Sequence, residues 1–591
     1  GSSSPNLLFW GFSVAALVYG SMTAYQLRWL CDDIFITLRY VENWLNGLGV
    51  VYNAGERVEG YTHFLWMALI AFFQWLGSNP RDVVYALGLA SFAATLATLI
   101  ALSWKAHGGQ KLFLPLAAVV LALHFDFKIW ATSGLETSLF TFLVLASIAV
   151  LAWWRQSNDR SHALAGLLLT CAMMTRPDGI LFTMVAGMFV VVRSIAVRKT
   201  WKATLRATAM FAAPFVVVYL PYVVWKYSYY GDLFPNTYYA KSGALNYFSQ
   251  GWIYIGMYVQ AYVSSFLLVL GIGAVWMAWN SSAESWRQRA ERLFASPIHA
   301  TIVLSMLYVV VYVVGFVARV GGDFMYARFL HPVLPPLYVA VELSLLTLLA
   351  KRPRWLRIAF VVLPLLAVYE HSLRMSIFVD ENGKRKGSFL NGVTDEHWYW
   401  TQTEQFGMDP ISMNEFMGRQ LAAYFQGERV SVLLRGQASL GYYAKFADCV
   451  ENAGLTDAYI ARLPLAARSR PGHEKNAPVE YLLKRGVHFV FMRSAYDTAS
   501  YRQIYFRMGS SYARAEMFFY DAPLLHRLKV RFGESVEFQD FTNVLDHYIA
   551  TIKSKPREEV ARDYGKFNDY YFARNADPQR NEVFQKYLEG G

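Results

Sequence analysis

A 591-residue chain that is 55% hydrophobic and only 17% charged is too apolar for an ordinary soluble domain, where charged residues make up about a quarter. Its net charge of +12 is spread over short loops and accompanies no nucleic-acid motif, which excludes a nucleic-acid partner. Cys31, Cys171 and Cys449 are too few and too scattered for a disulfide framework or a zinc site.

Gly1-Ser2-Ser3-Ser4 reads as a cloning scar without fold information. An apolar run follows at once (about 6–27) with no A-x-A cleavage pattern, so it is expected to be a retained helix. Similar runs recur to about residue 372, which predicts an integral membrane protein of about eleven spans. Directly after the first run stand Asp32 and Asp33. From Asp33 to Leu48, Ile34, Leu38, Val41 and Leu45 recur at helical spacing, with Arg39, Glu42, Asn43 and Asn46 off that stripe. That pattern predicts a short juxtamembrane helix lying on the bilayer, followed by the Gly-rich turn region "NGLGVVYNAGERVEGYT".

The loops 105–111, 155–162, 197–206, 285–292 and 351–357 are basic and are expected to be cytoplasmic. The loops 131–137, 175–179, 230–243 and 321–329 then face outward. This alternation requires that the short apolar segment 63–77 does not cross, and that the equally short 112–125 does. Beyond residue 373 the composition turns polar. "RVSVLLRG" (429–436) and "VHFVFMR" (487–493) read as strands and "APVEYLLKR" (477–485) as a helix, giving domains 1–372 (membrane) and 373–591 (extracytoplasmic, α/β). Gly436 and Gly441 fit neither a Rossmann nor a P-loop spacing.

Ionisable residues near a bilayer are costly and usually functional. Asp32, Asp33, Glu56, Glu59, His63, Glu136, Arg176, Asp178, Lys241, Asp323, Arg328 and His331 all fall in the expected outer loops or at helix mouths. One-sided placement suits an enzyme working at a surface better than a transporter, whose polar groups gather near the midplane. A carboxylate of the Asp pair could take a proton from a hydroxyl, its neighbour raising its pKa; the pair could equally be a solvated helix cap. In "LFPNTYYAKSG", Lys241 could bind a phosphate and Asn236, Tyr238 and Tyr239 a sugar, or the group could be an aromatic belt with a snorkelling lysine. In "GGDFMYARFLHP", Arg328 could grip a phosphate or pair with Asp323. "TRPDG" and "SGLET" could be turns whose charges satisfy each other, and "RPGHEK" (470–475) either a rim or a surface turn.

The ordered set "CDDIFITLRYVENWLNGLGVVYNAGERVEGYTHFLW", "ATSGLETSLF", "TRPDGIL", "GDLFPNTYYAKSG", "GGDFMYARFLHP", "GLTDAYIA" and "RPGHEK" resembles the GT-C superfamily of polytopic glycosyltransferases. Within it, the set is most similar to the mycobacterial terminal β-(1→2) arabinofuranosyltransferase family. The resemblance implies a multi-pass protein of the bacterial inner membrane, with its active site and C-terminal domain on the periplasmic side. It implies inverting transfer of a sugar, D-arabinofuranose by likeness, from a polyprenyl-phosphate donor such as decaprenyl-phosphate arabinose to a cell-envelope glycan or glycoconjugate. Asp32 or Asp33 would be the general base, and Lys241, Arg328 and Arg176 would hold the donor phosphate. Glu59, His63, Glu136, Asp178, Asn236, Tyr238, Asp323, Tyr326 and His331 would bind or orient substrate. No metal or other cofactor is expected to be required, since ligand-spacing patterns are absent. The chain is richer in Lys and Tyr than a mycobacterial protein would be, so a pilin, lipopolysaccharide or another glycan stands as acceptor beside arabinan. An oligosaccharide ligase with a polyprenyl-pyrophosphate donor, a lipid-linked sugar transporter and a non-catalytic acceptor-recognition protein are the alternatives.

Overall fold

The computed structural model describes residues 6–107, 114–153, 159–198, 200–262, 286–349, 362–380, 382, 384–386, 389–403, 407–491 and 499–590. Four of the basic loops lie partly outside these residues and 351–357 wholly. Among the described residues six helices are long and apolar enough to cross a bilayer: Leu7–Gln26, Pro80–His107, Gly179–Val197, Trp201–Tyr230, Pro297–Ala318 and Arg328–Thr347. The chain is thus a multi-pass helical membrane protein. The count of about eleven also draws on 263–285 and 350–361, outside the described residues. Pro214 removes one amide from the ladder of Trp201–Tyr230, and the helix continues through a π-turn at Phe215–Tyr219.

The chain packs as two units: Gly1–Ile34, Tyr61–Gln402 and Ala467–Gly472 form one, and Phe35–Gly60, Thr403–Ala466 and His473–Gly591 the other. The border between these units falls after Gln402 and not at the expected 372/373, and Phe35–Gly60, expected in the membrane domain, packs with the second unit.

In the first unit, the two short apolar segments differ. Phe64–Trp75 is a single helix of 12 residues, about 18 Å long and shorter than a hydrocarbon core of about 30 Å. The segment after residue 113 is a broken traverse, a helix Leu116–Leu123 and a second, Phe125–Ile129, meeting at His124. Helix Leu7–Gln26 measures its depth. Phe9 packs on Trp104 and His107 at one end, Gly20 faces Ala122, and the carbonyl of Ala24 accepts from Thr132 Oγ1 at 3.3 Å. His107 and Thr132 therefore lie about 22 Å apart along that helix, the rise from Phe9 to Ala24.

Its start is capped from elsewhere. Glu342, on helix Leu334–Leu349, accepts from the amide of Ala117 at 2.8 Å and from the Ser103 hydroxyl, and lies 3.2 Å from His107 Nε2. The basic helix ends lie at this same end of the bundle. There Arg193 donates to the carbonyls of Leu151 and Phe294, and Arg206 pairs with Asp159. At the opposite end, the amide of Cys31 donates to the Ser133 carbonyl at 2.9 Å. This lays the acid pair against the turn that precedes helix Thr137–Trp153.

The second unit holds a six-stranded mixed sheet. We label the strands β1 (Phe389–Leu390) and β2 (Val393–Thr394), a hairpin of the first unit, then β3 (Ser431–Leu434), β4 (Asp448–Glu451), β5 (Phe489–Val490), β6 (Gln503–Met508), β7 (Ser511–Met517) and β8 (Val536–Phe538). The sheet order is β4-β3-β5-β7-β6-β8, with β3 parallel to β4 and β5 and the other pairs antiparallel. Every residue of β3 is buried, as befits a central strand covered on both faces. Helix Ile34–Leu45 forms over the expected stripe, and from Phe35 onward it belongs to this unit. Its polar side is also covered: Arg39 donates to the carbonyls of Tyr52, Gly441 and Phe446.

Candidate active site

The end of the helical unit near Asp33 collects charges from four loops. Asp32 is buried, whereas Asp33 keeps some surface. No hydrogen bond or ion pair among the described residues holds the Asp33 carboxylate. Burial pushes that carboxyl above the ordinary aspartate value; Lys241 and Arg328 oppose the shift, and Asp323 and Glu136 add to it.

Lys241 ends the helical turn Asn236–Ala240 and is likewise partly accessible and outside any ion pair among the described residues. Burial holds its ammonium below the usual lysine range, Arg328 pushes the same way, and Asp323 and Asp33 oppose both. Gly472 explains how the stem is seated. At φ +79° it lies where a Cβ would stand 3.5 Å from Lys241 Cε and 3.7 Å from the Phe324 ring.

The other two cations are committed. Arg328 Nε donates to Asp323 Oδ2 at 2.5 Å, both side chains being buried. The loop that carries them turns at Gly322, whose φ of +70° and a Tyr254 ring 2.4 Å from any added Cβ exclude a side chain. Arg176 donates from Nη1 to Glu136 at 2.9 Å and from Nε to Asp178 at 3.0 Å, and the Tyr312 hydroxyl also donates to Asp178. His63, the N-cap of helix Phe64–Trp75, stands 3.8 Å from Glu136. Burial raises the Glu136 carboxyl, but His63, Arg176 and Arg328 outweigh it and leave it at about 2. Burial also keeps His63 below its ordinary value, so at neutral pH the guanidiniums supply that positive charge.

Asp33, Glu136, Arg176, Asp178, Lys241, Asp323, Arg328 and His63 thus come together. Asn236 is buried at the start of the Lys241 turn, and Tyr238 stacks on Phe234 at 4.7 Å beside it. His331 does not join the group: its Nδ1 meets Thr141 Oγ1 at 2.7 Å, its Nε2 the Phe127 carbonyl at 3.3 Å, and its ring stacks on Phe127. Tyr326 is a core residue whose hydroxyl donates to the Met257 carbonyl at 3.3 Å. Glu59 is buried in the second unit.

No family model matches the chain. It is similar to the terminal beta-(1->2)-arabinofuranosyltransferase of Mycobacterium tuberculosis, 31% identical over 360 residues, which covers 56% of this chain and 54% of that protein. It is also similar to the protein of the same name from Corynebacterium glutamicum, 28% identical over 353 residues, covering 56% and 50%. The chain therefore spans about half the length of the curated relatives it matches. Among solved structures, the Archaeoglobus fulgidus oligosaccharyltransferase in its apo form matches over 86% of this chain and 74% of its own, with a TM-score of 0.50 at 11% identity. The chain has the GT-C fold.

Arg374 with its two aspartates escapes the sequence reading, as does Glu396, whereas Arg470 opens the stretch "RPGHEK" that reads as a rim or a surface turn. Arg374 is held bidentately by Asp126 and by Asp395, at 3.0 Å in each case, with Arg385 also on Asp395 and the Tyr262 hydroxyl donating to Asp126. All three central residues are almost wholly buried. Glu396 and Arg470 stand 3.5 Å apart. For Glu396 the local signal is Trp400, four residues later on the same short helix, whose Nε1 donates to it at 2.6 Å. Among the described residues no three His, Cys, Asp or Glu side chains are grouped to hold a metal ion.

Proposed function

We propose that this protein is an inverting glycosyltransferase. It moves a sugar, D-arabinofuranose, from a polyprenyl-phosphate lipid to a hydroxyl of a cell-envelope glycan or glycoconjugate. The observation that carries this reading is Asp33 and Lys241: a carboxylate and an ammonium, each partly accessible, each influencing the other, and neither engaged in an ion pair among the described residues. Reaction of a lipid-held sugar phosphate needs that combination. Asp33 accepts the proton of the acceptor hydroxyl, the acceptor oxygen bonds to the anomeric carbon, and the bond from that carbon to the phosphate oxygen breaks. The phosphate leaves with the electron pair, met by Lys241 as a point charge and by Arg328 and Arg176 behind it. Asp323, Glu136 and Asp178 hold the two arginines in place. Asn236 and Tyr238 flank Lys241 and are assigned to the sugar. These residues need no metal for this step. The choice of arabinofuranose rests on the names of the two relatives.

Orientation follows from charge. The basic helix ends gather at the end opposite Asp33, so retention of positive loops in the cytoplasm turns Asp33 outward, to the periplasmic side of an inner membrane. A cysteine replacing the exposed Leu245, close in sequence to Lys241, reacts with an impermeant maleimide from that side; labelling only after permeabilisation would reverse the assignment. The decisive test is purified protein with synthetic polyprenyl-phosphoryl arabinofuranose and an arabinofuranosyl oligosaccharide. The expected product carries one added sugar with inverted anomeric configuration. Turnover of a pyrophosphate-linked donor instead would make the protein an oligosaccharide ligase, and no turnover of either would remove the reading.

A further inference from the structure

We propose that Glu396 and Arg470 form the acceptor side of this site, bracketing hydroxyls of the incoming glycan so that one of them faces Asp33; this rests on the glycosyltransferase reading above. Their placement is fixed by backbone as much as by side chains. Strand β2 is hydrogen-bonded to the loop that bears Asp323 and Arg328: the Thr394 amide donates to the Phe324 carbonyl at 2.6 Å, and the Tyr326 amide to the Thr394 carbonyl at 3.0 Å. Glu396 lies two residues further on, opening helix Glu396–Thr401. That helix is tied to the approach to the acid pair, since His397 Nε2 stands 3.2 Å from the Leu27 carbonyl and its ring contacts Trp29. Asp395, the N-cap, is locked by Arg374 and Arg385. The backbone at Glu396 is thus anchored beside a buried cluster of charges.

Arg470 reaches Glu396 from another segment. Its guanidinium lies over the rings of Phe324 and Phe389, 4.7 and 4.4 Å from their centroids, and donates to Thr394 Oγ1 at 3.0 Å. Its Nε is buried and makes no hydrogen bond among the described residues, and its separation of 3.5 Å from Glu396 is looser than the 2.9 and 3.0 Å pairs of Arg176. Burial pushes the Glu396 carboxyl up to about 8; the Trp400 bond and Arg470 oppose this, and Asp33 and Asp323 add to it. A neutral carboxyl both donates and accepts, and a guanidinium donates twice, so together they match vicinal hydroxyls. The donor phosphate has its own cation in Lys241, which is outside any ion pair among the described residues.

The test is steady-state kinetics of Glu396→Gln and Arg470→Lys with synthetic polyprenyl-phosphoryl arabinofuranose and an arabinofuranosyl oligosaccharide. Each variant should raise the KM for the oligosaccharide about tenfold to a hundredfold while the KM for the lipid stays within about twofold. Equal rises in both, or an unchanged oligosaccharide KM in a variant that melts like wild type, would overturn the assignment. If Arg470→Lys does not fold, Glu396→Gln alone decides. If wild type transfers no sugar, calorimetric titration with the same oligosaccharide separates the two readings. Binding to wild type that weakens about tenfold in Glu396→Gln keeps the glycan site and removes the transferase. Absence of binding removes both.

Discussion

Asparagine in place of Asp33 removes the proposed base and little else. A positioned general base contributes about 10²–10⁴ in rate, so kcat/KM should fall about 10³-fold, or about 4 kcal/mol in barrier. The fold should not suffer. Asp33 has no hydrogen-bond or ion-pair partner to lose among the described residues, and burial already disfavours its charged form. The melting temperature in detergent should therefore hold or rise slightly. Asp323→Asn makes the contrast. It leaves Arg328 buried without its 2.5 Å counter-charge, and breaking such a pair costs about 3–5 kcal/mol. Transfer from a radiolabelled lipid donor, together with thermal melts of Asp33→Asn, Asp32→Asn and Asp323→Asn, reads all of this in one experiment. Should Asp33→Asn keep more than about a tenth of wild-type kcat/KM, or Asp32→Asn prove the more damaging at equal stability, Asp33 is not the base.

Lys241→Met should raise the donor KM about tenfold to a hundredfold, as loss of a charge-assisted contact does. It should also move the acid limb of the pH–rate profile to higher pH, because Lys241 favours ionised Asp33; an unmoved limb would uncouple the two. Arg374→Met strands two buried carboxylates, Asp126 and Asp395, and should cost about 3–5 kcal/mol in stability, read by thermal or denaturant unfolding. Glu396 binds its proton more tightly folded, at about 8, than at its ordinary 4.5. The folded state thus holds the extra proton between those values, and stability should fall as pH rises from about 4.5 through about 8 and level off above. Glu396→Gln should flatten that part of the melting-temperature profile; an identical slope in both proteins would show that the carboxyl is not held neutral.

The sequence made the membrane helices legible because apolar runs of about 20 residues have few other readings. The loop charges were legible for a related reason: acids and cations at helix mouths stand out against an apolar background. What it could not convey was which of those charges are spent on each other. Arg176 and Arg328 look alike to Lys241 in sequence, but only packing shows the first two paired with carboxylates. His331 looked like a site residue by position, yet Thr141 and the Phe127 carbonyl, far away in the chain, occupy both its nitrogens. Arg374 and Asp126 are 248 positions apart, and no spacing rule spans that distance. The order within the acid pair was equally hidden, since it depends on which carboxylate the turn at Ser133 leaves accessible.

The broken traverse at His124 bears on how this polypeptide is made. A helix of eight residues followed by one of five cannot satisfy its own amides in lipid, and its first turn borrows the carboxylate of Glu342, synthesised more than two hundred residues later. Integration therefore cannot simply follow the order of translation; this stretch waits, shielded by its neighbours or by the insertion machinery, for its cap to arrive. Nascent chains released before residue 334 should leave 114–132 open to protease, and full-length ones should protect it.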